Sequence, residues 1–418
     1  MFQESILKMG ELKLETEIEN NQDSDSEICD IHEIDRLFIN SCYIFEKVIA
    51  ENKYILHVTA TSENGPNVAI ALSDNSCEIH TISNDQVANI TTLTKHNDKI
   101  VDCRFSSRDS NMLYTGSSDG SVKLWDIRTP KEPAINFQDT TVENGNNTKM
   151  FSCFDISSNE RLLTAGTDLS EGDAFLLFWD MRSRNLLGGY WESHTDDITQ
   201  VKFHPHDTNK LISGSVDGLI NVYDLSQSCE DNALIDTLNT ESSIEQLLWF
   251  NENGKDNIGC ITHTADLQLW NVEGAEPYKH ISRADIAKTI RKFCNLKKCQ
   301  EQREIVENPV GILRQAPVSL FIKKSQDYIY LTKVHNADNY LLVLAGSNYN
   351  DGECIRGIQI KNGQTQPAVG FKENKQRVRS SWYNENTNML LTGGEKGILN
   401  VWRLTSIKNN SFPVKKIR

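Results

Sequence analysis

One phrase recurs five times along this chain, and its spacing limits the folds that are available. The copies read LYTGSSDGSVKLWDIR, LLTAGTDLSEGDAFLLFWDMR, LISGSVDGLINVYDLS, GCITHTADLQLWNVE and LLTGGEKGILNVWRLT. Their aromatic reference residues are Trp125, Trp179, Tyr223, Trp270 and Trp402, and the first three intervals are 54, 44 and 47 residues. A period of this length indicates small structural units that bury a core only by stacking on one another.

Each copy contains two β-runs around a turn, and an alternating segment such as IVDCRFS or ITQVKFHP lies upstream. This composition predicts four short strands per period. The pattern resembles the WD-repeat family of β-propellers from about residue 42 to about residue 406. The motifs that carry the resemblance are SSDGSVKLWD after His96 and SVDGLINVYD after His194. The run 175–226 and the segment RSSWYNENTNMLLTGGEKG are similar to one subgroup of that family.

The resemblance implies a buried, hydrogen-bonded tetrad in two blades. Its members are His96, Thr115, Asp119 and Trp125 in blade two, and His194, Ser213, Asp217 and Tyr223 in blade four. Such a network specifies a blade because a buried member left unpaired costs ~1 to 3 kcal/mol. The other blades depart from this pattern. Blade one has no Trp, and the last blade has Asn374 and Lys396 at the His and Asp positions, so we expect them to rely on apolar packing.

The number of blades depends on the stretch between Trp270 and Trp402. The 88 residues from Trp270 to Ile358 equal two periods, which leaves eight blades arithmetically open. Residues 283–316 show helical spacing and then mixed charge without strand alternation, so we predict seven blades with a basic insertion before blade six. The segment CYIFEKVIA at 42–50 is expected to supply the outer strand of blade seven and close the ring.

The resulting organisation is an all-β, seven-bladed WD-repeat propeller over residues 42–408 with the insertion at about 283–316. An acidic, largely disordered tail is predicted for residues 1–41 and a basic tail for 409–418. Ten cysteines without a CxxC pair, and no apolar run of signal-peptide or membrane-spanning length, lead us to expect a reduced protein of the cytoplasm or nucleus. We expect no membrane contact.

Two constellations suggest chemistry, and both have a simpler structural explanation. Ser213, His194 and Asp217 are the residue types of a hydrolase triad, but no G-x-S-x-G turn surrounds the serine, and the propeller fold predicts all three as a structural network. Cys294 and Cys299 resemble half of a zinc site without a second pair. We therefore predict a non-enzymatic protein without metal or cofactor.

The net charge of −15 disfavours nucleic acid as the default partner, but the charge is distributed unevenly. The first 36 residues contain eleven Asp or Glu against three Lys or Arg, and Ser24 in SDSE is a candidate phosphorylation site. Residues 279–333 contain twelve Lys or Arg against five Asp or Glu. Candidate contacts for an anionic partner, RNA or the acidic tail itself, are Arg291, Lys292, Lys297 and Lys298. A solvated loop is the alternative, and the scarcity of aromatic residues for base stacking argues against RNA.

The endings LWDIR at 124–128 and FWDMR at 178–182 place an Asp-x-Arg pair on two neighbouring blades. In the WD-repeat family, consecutive W-D-x-R endings recur in substrate receptors that dock on the damaged-DNA-binding adaptor of cullin ubiquitin ligases. The resemblance therefore implies a partner-binding role for Asp126, Arg128, Asp180 and Arg182. The alternative is that each arginine only pairs with the aspartate before it.

Together these features predict a protein-interaction scaffold, monomeric within larger complexes. Its more specific form is a substrate receptor or adaptor of a cullin ubiquitin ligase. The alternative is a nuclear propeller in ribosome or RNA-protein assembly, recruited through the basic region at 289–324.

Overall fold

The computed structural model describes residues 34–63, 65–83, 86–141, 148–294, 330–337, 340–347 and 352–404. Across these residues the chain forms seven sheets that follow one another in sequence, six of four strands and one of five. The predicted seven-bladed β-propeller is confirmed, and the eight-bladed alternative is excluded.

The first eighteen strands in chain order comprise two that join blades six and seven, followed by the sixteen strands of blades one to four. They are β1 (Ile39–Asn40), β2 (Cys42–Val48), β3 (Ile55–Ala60), β4 (Asn67–Leu72), β5 (Cys77–Ser83), β6 (Gln86–Leu93), β7 (Ile100–Phe105), β8 (Met112–Ser117), β9 (Ser121–Asp126), β10 (Ile135–Gln138), β11 (Phe151–Ile156), β12 (Leu162–Thr167), β13 (Leu176–Asp180), β14 (Asn185–Tyr190), β15 (Ile198–Phe203), β16 (Lys210–Ser215), β17 (Leu219–Asp224) and β18 (Leu234–Asn239).

The last three blades contain β19 (Ile244–Glu252), β20 (Lys255–Thr262), β21 (Leu267–Asn271), β22 (Lys279–Ile281), β23 (Tyr330–Ala337), β24 (Tyr340–Gly346), β25 (Ile355–Lys361), β26 (Gln364–Gly370), β27 (Val378–Asn384), β28 (Met389–Gly394) and β29 (Ile398–Arg403). A short helix spans Glu230–Ala233, and a longer one covers residues 283–294.

Each blade is an antiparallel meander whose first strand lines the centre of the ring. The second strand is buried on both faces, as in Met112–Ser117, where every residue after the first is buried. This burial explains the run of apolar and small residues in each LxTGS phrase. Neighbouring inner strands are joined directly: Thr199 Oγ1 donates to the Ile244 carbonyl at 2.6 Å, and Ser380 Oγ accepts from the Val58 amide at 3.0 Å.

The ring closes between blades seven and one through a strand from the start of the described chain. Strand β2 pairs antiparallel with β29, and Tyr43 lies opposite Trp402. The outer strand of blade seven is therefore supplied by residues 42–48, as the sequence predicts. Pairing the two ends of the ring in one sheet protects an edge that would otherwise be exposed.

Residues 34–41, which the sequence assigns to the acidic tail, belong to the propeller. Strand β1 adds to blade six in parallel with β26, with Ile39 opposite Val369. Ile34 and Phe38 are buried in one cluster with residues of the 283–294 helix. The boundary shifts because these two apolar side chains cover the outer side of blade six.

Asp35 ties the same segment to blade six through an ion pair. Its Oδ1 lies 2.8 Å from Nη2 of Arg356, whose side chain is almost completely buried.

Residues 1–33, 295–329 and 405–418 lie outside the described residues, and so do Ser24, Lys297, Lys298, Cys299, the predicted C-terminal tail and most of the predicted insertion. None of the described helices is long and apolar enough to span a bilayer.

Candidate functional site

The tetrad of blade two forms a continuous chain of hydrogen bonds. Trp125 Nε1 donates to Thr115 Oγ1 at 2.8 Å, and Thr115 Oγ1 lies 2.7 Å from His96 Nε2. His96 Nδ1 lies 2.9 Å from Asp119 Oδ2. Because the threonine hydroxyl already accepts from the indole, it donates its own proton to Nε2, and Nδ1 carries the proton that reaches the carboxylate. This network of hydrogen bonds connects Trp125, on the third strand of the blade, to Asp119, in the turn that precedes that strand.

Blade four has the same arrangement with different residue types. Ser213 Oγ lies 2.6 Å from His194 Nε2 and 3.3 Å from Tyr223 Oη, and His194 Nδ1 lies 3.0 Å from Asp217 Oδ2. Ser213 is completely buried and the His194 side chain almost so. The three residue types of a hydrolase triad therefore do meet, but a substrate carbonyl has no route to the serine, and the group acts as a structural network.

Sequence reasoning missed a fifth position that joins these networks, two residues before the aromatic, which we call the companion position. In blade two it is Lys123, whose Nζ lies 3.4 Å from Asp119 Oδ2 and 3.3 Å from His96 Nδ1. In blade four it is Asn221, which donates to the Ser193 carbonyl at 2.6 Å and lies 3.3 Å from His194 Nε2. A polar residue at this position, as in KLW and NVY, was the available signal.

In blade five the companion residue supplies the hydrogen bonds that the missing tetrad residues would make. Gln268 Oε1 accepts from Trp270 Nε1 at 3.1 Å, and the Gln268 amide donates to the Thr240 carbonyl at 3.0 Å. In blade one the aromatic position is occupied by His80, which is 2.9 Å from Glu78 at its companion position. These blades do not depend on apolar packing alone.

Blade seven replaces the missing tetrad residues with amides. Trp402 Nε1 donates to Thr392 Oγ1 at 3.0 Å, so the outer half of the network is kept. Gln376 Oε1 accepts from the backbone N–H of Lys396 at 3.1 Å and of Ile398 at 3.3 Å, which caps the turn that Asp119 caps in blade two. Asn374 donates to the Gln376 carbonyl at 2.6 Å. Blade seven therefore combines its apolar packing with hydrogen bonds from these amides.

The two Asp-x-Arg pairs lie on one face of blades two and three, which we call the arginine face. Asp126 ends β9 opposite Met112, the first residue of β8, and Asp180 ends β13 opposite Leu162, the first residue of β12. The tetrad carboxylate Asp119 lies in the turn at the other end of the same strands. The sheet topology therefore separates the arginine face from the tetrad face by the full length of a strand.

Asp126 and Asp180 hold their arginines differently. Asp126 accepts from Arg128 Nε at 2.8 Å and from Nη2 at 2.7 Å, and also from the Arg128 amide at 3.0 Å. Hydrogen bonding from Arg128 lowers the pKa of Asp126 to about 2. Asp180 accepts the Arg182 amide at 2.8 Å, while the exposed Arg182 guanidinium has no ion-pair partner among the described residues. Arg128 is thus preoriented and Arg182 is not.

The tetrad face of blades three and four carries an exposed apolar arc, defined by Met150, Leu169 and Val216. These side chains are 44%, 43% and 36% exposed. Their backbones are tied together: Leu169 N donates to Asp197 Oδ1 at 2.7 Å, and Val216 N donates to the Asp197 carbonyl at 2.9 Å. Exposed apolar side chains at one end of neighbouring blades make this arc a candidate protein-binding surface.

The start of the basic insertion is the 283–294 helix. It buries Ile286, Ile290 and Cys294 against the propeller and exposes Arg291 and Lys292. Cys294 therefore packs in the core, and no group of His, Cys, Asp and Glu suited to a metal ion occurs among the described residues.

Comparison with known proteins agrees with this fold. The family model for the WD domain, G-beta repeat, matches residues 88–126 and 187–224. Each of these two ranges contains one complete tetrad. The chain is 30% identical to the WD repeat-containing protein 89 homolog of Dictyostelium discoideum over 261 residues, which is 62% of this chain and 63% of that protein. It is 30% identical to WD repeat-containing protein GTS1 of Arabidopsis thaliana over 222 residues, 52% of this chain and 53% of that protein.

A guanine nucleotide-binding protein subunit beta of Oryza sativa subsp. japonica is 28% identical over 171 residues, 40% of this chain and 43% of that protein. The matched regions span less than two thirds of the length of each of these relatives. WD-repeat propellers typically serve as protein-interaction scaffolds and are generally not enzymes. The phrase spacing, the closed ring of seven sheets and the matched repeats lead to one conclusion: the chain is a seven-bladed β-propeller that carries WD40 repeats.

Proposed function

We propose that this chain is a non-enzymatic protein-interaction scaffold, and that it acts as a substrate receptor of a cullin ubiquitin ligase. The observation that carries the specific role is the arginine face, where two Asp-x-Arg endings emerge at the same end of adjacent blades. Its docking partner would be the damaged-DNA-binding adaptor that such receptors bind.

The chemistry of Arg128 supports docking. A guanidinium has five N–H donors, and Asp126 accepts from two of its nitrogens. The side chain is 60% exposed, so the remaining donors are available to a carboxylate or a backbone carbonyl of a partner. Because Asp126 already fixes the orientation, binding costs less side-chain entropy than for a free arginine. Arg182 extends the same face and supplies a second, exposed cation.

A substrate receptor needs a second surface that leaves the adaptor site free. The apolar arc of Met150, Leu169 and Val216 lies on the opposite face and meets this requirement. We assign client binding to it and adaptor binding to the arginine face. We place the protein in the cytoplasm or nucleus, as a monomeric propeller within a larger complex.

The proposal is tested by recovering the tagged, full-length chain from cells and quantifying the adaptor by mass spectrometry. The double variant Arg128→Ala and Arg182→Ala should lose the adaptor. Arg161→Ala, an exposed arginine beside the start of β12 on the same face, is the matched control and should retain it. Unchanged recovery with the double variant would reject the specific role but not the broader scaffold.

The second candidate, a nuclear role in RNA-protein assembly, is supported by the outward side of the 283–294 helix. Arg291 and Lys292 are exposed there on a protein that is otherwise acidic. The double variant Arg291→Glu and Lys292→Glu should lower co-purification of RNA-linked proteins if this role is correct. Loss of the adaptor but not of RNA-linked proteins in the arginine-face variant would separate the two proposals.

A further inference from the structure

The central channel gathers charged side chains from several blades, which no local sequence motif brings together. In the inner strands of blades one, two and six, His57, Asp102 and Lys333 are the residues at which pairing resumes after a β-bulge. Arg104 and Lys202 lie two residues beyond that position in blades two and four. Since side chains repeat every second residue along a strand, these positions share one side of the inner ring.

The carboxylates of this cluster are already engaged by Arg104 and the backbone. Asp155 of blade three accepts from Arg104 Nη1 and from the Phe203 amide, the latter at 2.8 Å. Asp102 accepts from the Cys103 amide at 2.8 Å and lies 3.5 Å from Arg104 Nε. Both negative charges therefore serve one guanidinium that bridges blades two and three.

Lys202 and Lys333 have no such partner. Across the part of the chain that the structure describes, neither ammonium has a hydrogen-bond or ion-pair partner, although both side chains are partly buried. Burial, and then Arg104, lower the pKa of Lys202 to about 8, with Lys333 contributing in the same direction. Burial is also the main cause that lowers the pKa of Lys333. Among the described residues the two ammonium groups thus have no direct ion-pair partner, and Asp102 attracts both only at longer range.

This arrangement leaves one positive charge in excess and therefore favours entry of a negative group into the channel. The cluster contains three cations, Arg104, Lys202 and Lys333, against two carboxylates, Asp102 and Asp155, while the protein as a whole carries a charge of −15. A buried charge without a partner destabilises a fold, whereas a charged ligand oxygen between two ammonium groups forms short, strong hydrogen bonds. A positively charged interior attracts small anions.

We propose that the channel between Lys202 and Lys333 binds a phosphate group, either as free inorganic phosphate or as the phosphate of a phosphorylated peptide. Each lysine donates to one phosphate oxygen from its own side of the ring. Arg104 adds positive potential but stays bound to Asp102 and Asp155. The site is separate from the arginine face, because Asp126 and Arg128 lie beyond the end of the third strand whereas the cluster lies on the inner strands.

The test uses the purified full-length chain at pH 7 and constant ionic strength. Inorganic phosphate replaces chloride stepwise, and binding is followed by isothermal titration calorimetry and by thermal unfolding. Wild type should show saturable binding with one phosphate per chain. Lys202→Met and Lys333→Met should each weaken binding by about tenfold or more, since each removes a charged hydrogen bond. Lys210→Met is the matched control, because Lys210 is exposed beside Asp207 in the same blade, and should bind as wild type.

The unfolding temperature is a second measurement, and it distinguishes loss of the phosphate site from misfolding of the variant. In chloride, Lys202→Met should raise the unfolding temperature, because it removes a charge that burial and Arg104 both disfavour. In saturating phosphate the variant should no longer unfold at a higher temperature than wild type. Lys202→Arg should keep phosphate binding. Absence of saturable phosphate binding to wild type, or wild-type affinity in both methionine variants, would overturn the proposal.

The two sources of phosphate separate in a competition arm with an acidic phosphoserine peptide and its unphosphorylated form. Tighter binding of the phosphorylated peptide, with displacement by inorganic phosphate, identifies a phosphorylated partner. Tighter binding of inorganic phosphate identifies the free ion. Retention of phosphate binding by the arginine-face variant keeps this inference independent of the proposed docking role.

Discussion

Asp126 accepts hydrogen bonds from the Arg128 guanidinium through both carboxylate oxygens, at 2.8 and 2.7 Å, whereas among the described residues the equivalent Asp180 of the next blade accepts the Arg182 amide and no bond from the Arg182 guanidinium. This difference yields a prediction about positioning. Asp126→Ala should weaken adaptor binding although Arg128 remains, because the guanidinium loses its fixed orientation. Asp180→Ala should affect binding less. Interferometry with immobilised adaptor measures both, and equal losses would show that Asp126 does not orient the arginine.

Substitutions in the first and second halves of the LWDIR ending should change the free energy of unfolding by different amounts. Trp125 is fully buried and donates to Thr115, so Trp125→Ala should lower the free energy of unfolding by ~3 to 5 kcal/mol. Arg128→Ala should leave stability nearly unchanged, because that side chain is largely exposed. Urea denaturation of the two variants gives the comparison. Similar losses would contradict the division between blade anchor and surface contact.

The recurring aromatic and the two complete tetrads are features that a single sequence reveals, because their spacing is local to one blade. The companion residues are equally local, yet in blade five Cys260 stands opposite Gln268, where blades two and four have a hydroxyl, so the sequence does not signal that Gln268 bonds the indole instead. The channel cluster is different in kind. Lys202 and Lys333 lie on the inner strands of two different blades and face the same channel only because the ring closes, which no spacing within one repeat predicts. The covering of blade six by residues 34–41 likewise depends on surfaces that form after folding.

The tetrad carboxylates should make stability depend on pH in acid. Burial opposes ionisation of Asp119, but hydrogen bonds from His96 and Ser121 outweigh it and lower its pKa, and the pKa of Asp217 is lowered in the same way by His194. A depressed folded-state pKa stabilises the protein above the unfolded value of about 4, and this stabilisation is lost as pH falls. The difference in unfolding free energy between wild type and Asp119→Asn should therefore narrow below about pH 4. A constant difference from neutral pH into acid would contradict an ionised Asp119 in the network.

Asn400 in blade seven should be replaceable with a gain in stability. It is fully buried at the companion position, and neither its amide nitrogen nor its oxygen has a hydrogen-bond partner among the described residues. Asn400→Leu, which copies the companion residue Leu177 of blade three, should raise the free energy of unfolding by ~1 kcal/mol. Asn221→Leu is the matched control and should lower it, because Asn221 bonds Ser193 and Thr237. A destabilised Asn400→Leu protein would show that the amide is satisfied.

The central claim, that the arginine face docks a ligase adaptor, is tested most directly by the equilibrium affinity of the purified full-length chain for the purified adaptor. Wild type should bind, Arg161→Ala should bind equally well, and the double variant Arg128→Ala and Arg182→Ala should bind at least about tenfold more weakly while keeping the wild-type unfolding temperature. No binding by wild type, or the same affinity in the double variant, would contradict the account.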